Sequence, residues 1–133
     1  MDVLVPNAAC STHAGAQLEI SERAYDKLWD LNVKSTFFLI AECQEMLTES
    51  VNQGGAANIL VVSSLTGTHP SPMIGVYGMT KAALDNMVKG LSQELMPDGI
   101  RINAISPGLI RTSFAQALLE SPGLNPASVG APA

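Results

Sequence analysis

The sequence predicts an α/β fold, organised as part of a doubly wound parallel sheet with about three strands and flanking helices. Three short apolar runs rich in β-branched residues alternate with two long segments of helical periodicity. This order and spacing are typical of βαβ units, in which consecutive strands lie parallel and helices cover the sheet. At 133 residues, the chain is long enough for one domain with a sizeable core.

The first half begins with a strand and continues into a long helical segment. The run DVLV at residues 2–5 predicts a short buried strand. Ser21 is a good helix N-cap, and helical periodicity extends from there to about Ser50. Asn32 lies between two apolar stretches of this segment and is a mediocre helix former, so we expect a kink or a join between two helices there.

The second half predicts two further strands, separated by a second long helix. NILVVSS at residues 58–64 is an apolar, β-branched run that predicts a second buried strand. An apolar stripe predicts a helix from Tyr77 to Met96. IRINAIS at residues 100–106 predicts the third strand, and the small, Pro-rich residues 120–133 predict an irregular tail.

Composition and charge restrict the partners and the compartment. A net charge of −5, with acidic and basic residues interspersed, argues against nucleic acids and anionic membranes as partners. Cys10 and Cys43 lie far apart and form no metal-ligating Cys/His pattern, so we expect free thiols and no metal site. The chain begins without the basic segment of a signal peptide, and its longest uncharged run is broken by Gly and Pro. These features predict a cytoplasmic protein.

Tyr77 and Lys81 are four residues apart, so a helix places their phenol and ammonium on one face. A nearby ammonium stabilises the phenolate, so we expect Lys81 to lower the pKa of Tyr77 and make it a general acid/base. Ser64 ends the second predicted strand, at the sheet edge where open parallel sheets bind ligands. Its hydroxyl could hold a carbonyl or alcohol oxygen beside the tyrosine.

Each of these motifs alone is more often structural than functional, but four of them occur in one order. NAA follows the first strand, Asn32 lies at the helix break, Ser64 precedes the Tyr-x-x-x-Lys pair, and PGLIRT follows the third strand. With this order, residues 1 to about 119 resemble the classical branch of the short-chain dehydrogenase/reductase family and, within it, a carbonyl-reductase subgroup. The resemblance implies that residues 1–119 are the catalytic half of a Rossmann-like domain.

The resemblance also implies an activity and a role for each matching residue. The activity is that of an NAD(P)-dependent oxidoreductase acting on a small-molecule carbonyl or alcohol, with NADP indicated by the subgroup and NAD as the alternative. Tyr77 would be the general acid/base, Lys81 would lower its pKa, Ser64 would orient the substrate oxygen, and Asn32 would hold the kink and a relay water. The residues implied to contact the cofactor are Asn7, Ala8, Tyr77, Lys81, Pro107, Gly108, Ile110 and Thr112.

Two departures from the family pattern affect these expectations. The family's N-N-A-G element reads Pro-Asn-Ala-Ala at residues 6–9, and no G-x-G-x-x-G or T-G-x-x-x-G-x-G loop occurs in the sequence. Such a loop lets the backbone and a helix N-terminus hold the cofactor pyrophosphate. By resemblance, we expect the chain to be truncated at both ends relative to the family and to be impaired or inactive alone.

Two alternative functions are open. The chain could be a non-catalytic fragment that pairs with a full-length homologue, or with itself, through its two long helices, which usually form the dimer contacts of this family. It could also be an extended-type epimerase or dehydratase, which shares the Tyr-x-x-x-Lys pair. Asn32 and the PGLIRT segment disfavour this second alternative.

Overall fold

The computed structural model describes residues 1–110 and residue 112. The domain boundary predicted near residue 119 and the irregular tail predicted at residues 120–133 lie outside the described residues. The described part contains three parallel strands side by side in chain order, β1 (Val3–Leu4), β2 (Ala57–Val62) and β3 (Ile100–Ile105). The longest helices between them are α1 (Glu22–Trp29), α2 (Ser35–Asn52) and α3 (Gly75–Leu95). The predicted partial parallel sheet with flanking helices is confirmed.

The main core lies on one face of the sheet. Alternate residues of β2 are almost completely buried there, since Ala57, Ile59 and Val61 are at most 1% exposed. They pack with apolar side chains of α2, α3 and β3, which include Ile40, Cys43, Leu47, Leu84, Val88, Leu95, Ile100 and Ile102. Because α2 and α3 both contact this face, the described residues form one of the two helical layers of a doubly wound sheet.

Strand β1 is exposed, which corrects the prediction of a buried strand at residues 2–5. Val3 and Val5 are 58% and 50% exposed, and Leu4 is only partly buried against the core. Strand β1 has two residues and pairs with β2. Within the described residues, no other strand borders it and nothing covers Val3, so β1 is an edge strand with an open face.

The helical segment after residue 21 begins where the sequence predicts, and it has an irregularity at the predicted position. The Ser21 hydroxyl oxygen accepts a hydrogen bond from the Ala24 N–H at 3.3 Å and caps α1. At Asn32 the chain stays helical, and a π-helical turn at Asp30–Lys34 joins α1 to α2. Turns of this kind often occur at functional sites. The Asn32 side chain is completely buried.

Helix α3 runs from Gly75 to Leu95, whereas the sequence predicts a helix from Tyr77 to Met96. It therefore starts two residues earlier and ends one residue earlier than predicted. Its end is followed by a short 3-10 turn, Met96–Asp98, and by Gly99 with a φ of 71°. Glycine adopts this left-handed conformation without steric penalty, which lets the chain turn into β3.

Strands β2 and β3 end at the same edge of the sheet, with Val62 opposite Ile105. The pairing continues into the loops that follow. The Ser63 N–H donates to the Ile105 carbonyl at 2.8 Å, and the Leu65 N–H donates to the Pro107 carbonyl at 2.9 Å. The serine pair after β2 and the Pro-Gly segment after β3 are therefore held next to each other.

Two expectations from the composition can be compared with the described part of the chain. Cys10 and Cys43 are both free thiols, as predicted. No helix within residues 1–110 combines the length and the apolar character that crossing a membrane requires.

Candidate active site

A cleft of about 390 Å³ lies at the carboxyl ends of β2 and β3, beside the first turns of α3. Open parallel sheets bind their ligands at this edge. The residues that line the cleft are Asn7, Ala9, Val62, Ser63, Ser64, Thr66, Ile74, Tyr77, Lys81, Pro107, Gly108, Leu109, Ile110 and Thr112. Three of the four predicted catalytic side chains, those of Ser64, Tyr77 and Lys81, therefore share one cleft.

Ser64 and Tyr77 are brought together by the turn that follows β2. Ser64 caps a 3-10 turn at Leu65–Gly67, and its Oγ accepts hydrogen bonds from the Thr66 N–H at 3.3 Å and the Thr66 hydroxyl at 3.0 Å. This turn packs against α3, and the side chains of Ser64 and Tyr77 form a hydrogen bond. Their oxygen atoms can therefore contact the same atom of a ligand.

Glycines on both sides of this contact allow the close approach of the turn to α3. A Cβ on Gly78 would lie 2.9 Å from the Thr66 carbonyl oxygen, a distance that real Cβ atoms essentially never show. A Cβ on Gly67, in the facing turn, would lie 3.1 Å from the Ala82 nitrogen and 2.6 Å from Asp85 Oδ2. The turn that carries Ser64 can lie directly on the backbone of α3 because both positions lack a side chain.

Lys81 is buried one turn after Tyr77 on the same helix. It is 2% exposed, and its Nζ donates a hydrogen bond to the Val62 carbonyl, at the end of β2, over 2.8 Å. The Nζ atom lies 5.5 Å from the centre of the Tyr77 ring. The hydroxyl of Ser63 donates to the Lys81 carbonyl at 3.2 Å and so ties β2 to this turn of the helix. The phenol and the ammonium are therefore on one face, as their spacing predicts.

The pKa of Tyr77 is raised in this structure, whereas the Tyr-x-x-x-Lys spacing predicts a lowered one, and the contribution of the Lys81 ammonium to this pKa stays a prediction. Burial raises the pKa of the Tyr77 phenol above 10.0, because desolvation disfavours the phenolate, and the hydrogen bond from Ser64 opposes this only in part. The thiol of Cys10 raises it a little further. Burial also lowers the pKa of Lys81 to about 8, an effect that the Asp85 carboxylate opposes. Tyr77 is therefore a neutral phenol at pH 7.

Asn32 lies behind the cleft and does not line it. Its side-chain oxygen accepts from the Cys10 N–H at 2.8 Å, and its amide donates to the Cys10 carbonyl and to Thr80 Oγ1, both at 3.0 Å. The Thr80 hydroxyl in turn donates to the Tyr77 carbonyl at 2.7 Å. Asn32 therefore connects the segment after β1 to the helix turn that carries Tyr77.

Most residues predicted to contact the cofactor also surround this cleft. Besides Tyr77 and Lys81, they are Asn7, Pro107, Gly108, Ile110 and Thr112. Ala8 does not line the cleft, whereas its neighbour Ala9 does. The structure thus brings most residues of both predicted groups around one cavity, all except Asn32 and Ala8, and their contact with a cofactor stays a prediction.

Thr66 and Leu109 line the cleft, but the sequence did not indicate them as site residues. Thr66 follows Ser64 by two residues, and hydroxyl side chains at this spacing form local hydrogen bonds in many loops, so the signal is weak. Leu109 lies between two predicted residues of the Pro-Gly segment, and this position is its only signal in the sequence.

The chemistry of the cleft fits the reactive end of a nicotinamide cofactor. Ile74, Leu109 and Ile110 supply apolar surface beside hydroxyl, phenol and ammonium groups. Apolar surface of this kind accommodates a flat ring, and the polar groups can hydrogen-bond ribose hydroxyls or a carbonyl oxygen. Because the sequence has no glycine-rich phosphate loop, the residues fit only this end of such a molecule.

Comparison with known proteins identifies the family. A family model described as enoyl-(acyl carrier protein) reductase matches residues 1–131. Dehydrogenase/reductase SDR family member 4 from Bos taurus is 38% identical over 122 residues, which are 92% of this chain and 42% of that protein. Tropinone reductase-like 3 from Erythroxylum coca is 36% identical over 118 residues, which are 89% of this chain and 43% of that protein. The chain belongs to the short-chain dehydrogenase/reductase family and spans less than half the length of these curated relatives.

Solved structures contain the same partial fold. The Pseudomonas aeruginosa RhlG/NADP active-site complex matches with a TM-score of 0.81 and 28% identity, over 92% of this chain and 48% of that chain. The 3-ketoacyl-(acyl-carrier-protein) reductase from Brucella melitensis, complexed with NADH, matches with a TM-score of 0.76 and 28% identity, over 80% of this chain and 44% of that chain. The Rossmann-like character of the partial sheet is confirmed by these matches.

Proposed function

We propose that this chain carries the catalytic half of an NAD(P)-dependent oxidoreductase that interconverts a small-molecule carbonyl compound and its alcohol. The observation that supports this most directly is the placement of Ser64, Tyr77 and Lys81 around one cleft at the carboxyl edge of the sheet. A hydroxyl that binds the substrate oxygen and a phenol that exchanges a proton with it are what such a reaction needs. The solved neighbours named as NADP and NADH complexes support a nicotinamide cofactor.

In the proposed reaction, the substrate oxygen lies between Ser64 and Tyr77. Ser64 donates a hydrogen bond to the carbonyl oxygen and orients it, and Tyr77 transfers its phenolic proton to that oxygen, which becomes the alcohol hydroxyl. A nicotinamide cofactor, when bound, would supply the hydride that the carbonyl carbon accepts. The Lys81 ammonium, one helical turn away, stabilises the negative charge left on Tyr77.

The protonation state of Tyr77 favours one direction of this reaction. Because burial raises the pKa of the phenol, Tyr77 holds its proton at neutral pH. A protonated phenol can act as a general acid, whereas oxidation of an alcohol needs the phenolate as a base. Tyr77 is therefore in the protonation state that carbonyl reduction requires.

Residues of the cleft would hold the nicotinamide end of the cofactor. Asn7, Pro107, Gly108, Leu109, Ile110 and Thr112 would supply the walls, and Lys81 would hydrogen-bond the ribose. NADP is proposed over NAD on the resemblance to the carbonyl-reductase subgroup. Since the 133 residues include no glycine-rich loop, we expect this chain alone to bind the cofactor weakly and to turn over slowly.

Titration of the purified chain with NADPH and with NADH, followed by protein fluorescence, measures cofactor binding. Ketone-dependent loss of the absorbance of the reduced nicotinamide measures turnover. We expect weak binding, and we expect Tyr77→Phe to abolish turnover while binding is retained. Tyr25→Phe is the matched control, because Tyr25 lies on α1 outside the cleft, and it should change neither quantity. Turnover that persists in Tyr77→Phe contradicts the proposed proton donor, and tight binding contradicts the expected impairment.

A second candidate function is association with a full-length homologue through α2 and α3. Three consecutive large side chains of α2, those of Phe37, Phe38 and Leu39, are 43%, 55% and 44% exposed. A shallow groove of about 320 Å³ lies beside them, between the π-helical turn, α2 and Met87 of α3. Exposed apolar surface of this kind often marks a protein–protein contact.

Size-exclusion chromatography with light scattering, for the chain alone and mixed with a full-length relative, tests this candidate. Association should occur in the mixture and should weaken at least about tenfold in Phe38→Asp, since a charge would be buried in an apolar contact. Leu18→Asp is the control, because Leu18 is fully exposed and lies outside α2 and α3. A parent chain that stays monomeric in the mixture contradicts the candidate.

A further inference from the structure

Thr66 contributes two hydrogen-bond donors to the Ser64 hydroxyl. Its backbone N–H lies 3.3 Å and its Oγ1 lies 3.0 Å from Ser64 Oγ. Thr66 is 6% exposed and lines the same cleft as Ser64. A polar side chain this deeply buried is strongly held in the hydrogen bonds it forms.

The number of donors and acceptors decides where the Ser64 proton points. A serine hydroxyl has one proton to donate and two lone pairs that accept. The N–H and O–H of Thr66 occupy both acceptor sites, so the Ser64 proton is left to point at an acceptor in the cleft. With both lone pairs occupied by Thr66, Ser64 is the donor in its hydrogen bond to Tyr77.

The backbone around Thr66 cannot easily move away from this position. The preceding residue, Leu65, donates its N–H to the Pro107 carbonyl at 2.9 Å. The Thr66 carbonyl oxygen lies against Gly78 of α3, where no side chain would fit. The two donors of Thr66 are therefore held by contacts with two other elements that border the cleft.

We propose that Thr66 is a positioning residue that fixes the Ser64 hydroxyl as a hydrogen-bond donor toward the reacting oxygen. The proposal rests on the proposed function for its meaning in catalysis. It also restricts the substrate class, because a serine held as a donor binds a carbonyl oxygen, which only accepts, and disfavours a ligand that presents a donor such as an ammonium.

The ionisation of Tyr77 reports on this arrangement without any cofactor. The chain has two tyrosines, so 3-fluorotyrosine incorporated into the Tyr25→Phe protein labels position 77 alone. The pH titration of its fluorine NMR resonance gives the midpoint of phenol ionisation. Fluorination makes the phenol more acidic, which keeps the titration at a milder pH.

Four variants separate the role of the hydroxyl from that of the fold. Thr66→Val removes the hydroxyl with little change of shape, and Thr66→Ser retains it. Thr68→Val is the matched control, because its hydroxyl donates to the Leu65 carbonyl at 3.2 Å instead of to Ser64. Ser64→Ala removes the group on which Thr66 is proposed to act.

We expect Thr66→Val to raise the ionisation midpoint of the label, so that the phenolate fraction at a fixed alkaline pH falls roughly two- to fivefold. Thr66→Ser and Thr68→Val should titrate like the parent. In the Ser64→Ala background, Thr66→Val should have no further effect, since the two residues act through one hydrogen bond. A parental midpoint in Thr66→Val, or a shift that persists in Ser64→Ala, overturns the proposal.

Failure of this proposal can be distinguished from failure of the proposed function. An unchanged titration in Thr66→Val contradicts the role of Thr66 whether or not the chain reduces ketones. Turnover that persists in Tyr77→Phe contradicts the proposed oxidoreductase mechanism and leaves the titration valid. Circular dichroism establishes that each variant is folded, and Thr66→Ala serves in place of Thr66→Val if the latter does not fold, with the same two outcomes.

Discussion

Deprotonation of Lys81 should make the protein more stable as the pH rises from neutral to mildly alkaline values. In the folded state, burial lowers the pKa of this ammonium from 10.5 to about 8, whereas the unfolded chain keeps the ordinary value. Between these two values the unfolded state binds more protons than the folded state. The free energy of unfolding therefore rises with pH in this window. The destabilisation that comes from burying the charged Lys81 ammonium is fully present below about pH 8.

The magnitude follows from the displacement of the pKa from 10.5 to about 8, which corresponds to about 3 kcal/mol in total. Between about pH 7 and pH 9.5, the linkage relation gives a rise of about 2 kcal/mol from Lys81 alone. Solvent screening reduces this little, since Lys81 is 2% exposed. Tyr77 has a raised pKa and so acts with the opposite sign, but only above 10.0 and therefore outside this range.

Urea unfolding followed by circular dichroism, at several pH values in this range, measures the effect. Lys81→Met keeps the length of the side chain without its charge. Its free energy of unfolding should therefore lack the rise with pH that Lys81 causes. Lys89→Met is the matched control, because Lys89 lies on α3 but is exposed. The free energy of unfolding of this variant should rise with pH as it does in the parent. Equal pH dependence in the parent and Lys81→Met would refute the reasoning.

Two further predictions concern the packing around the site and are measured by urea unfolding at neutral pH. Gly78→Ala should destabilise the fold by about 1–3 kcal/mol, because its Cβ would overlap the Thr66 carbonyl. Gly90→Ala, on the same helix with open space around it, should instead stabilise by up to about 1 kcal/mol; equal effects would contradict the packing argument. Asn32→Ala should cost roughly 2–4 kcal/mol because it removes the hydrogen bonds to the partly buried Cys10 N–H and carbonyl, and a loss below about 1 kcal/mol would contradict this.

The sequence predicted the order of the elements and the parallel sheet because both depend on local patterns. Apolar β-branched runs and helical stripes identify β2, β3 and α3 within a few residues. The burial of β1 could not be predicted in the same way. An apolar run of the same kind can be an edge or a central strand, and the difference depends on which other strands pair with it.

The helix break illustrates a similar limit at Asn32. Its poor helix propensity indicated an irregularity at the right place, but propensity does not distinguish a kink from a join or a π-helical turn. The tertiary contacts decide this, because the Asn32 side chain satisfies both backbone groups of Cys10 and also reaches Thr80. These partners lie 22 and 48 residues away in the chain and leave no local pattern.

The site shows most clearly which properties depend on spacing and which on environment. The interval of four residues predicts that Tyr77 and Lys81 share a helix face, and this is confirmed because helix geometry alone determines it. The sign of the Tyr77 pKa shift depends instead on burial, which acts on both groups and favours the neutral form of each. For Tyr77, desolvation outweighs the favourable hydrogen bond from Ser64. The environment of the pair, and not its spacing, therefore decides that the phenol is neutral, which is the protonation state that the proposed carbonyl reduction requires.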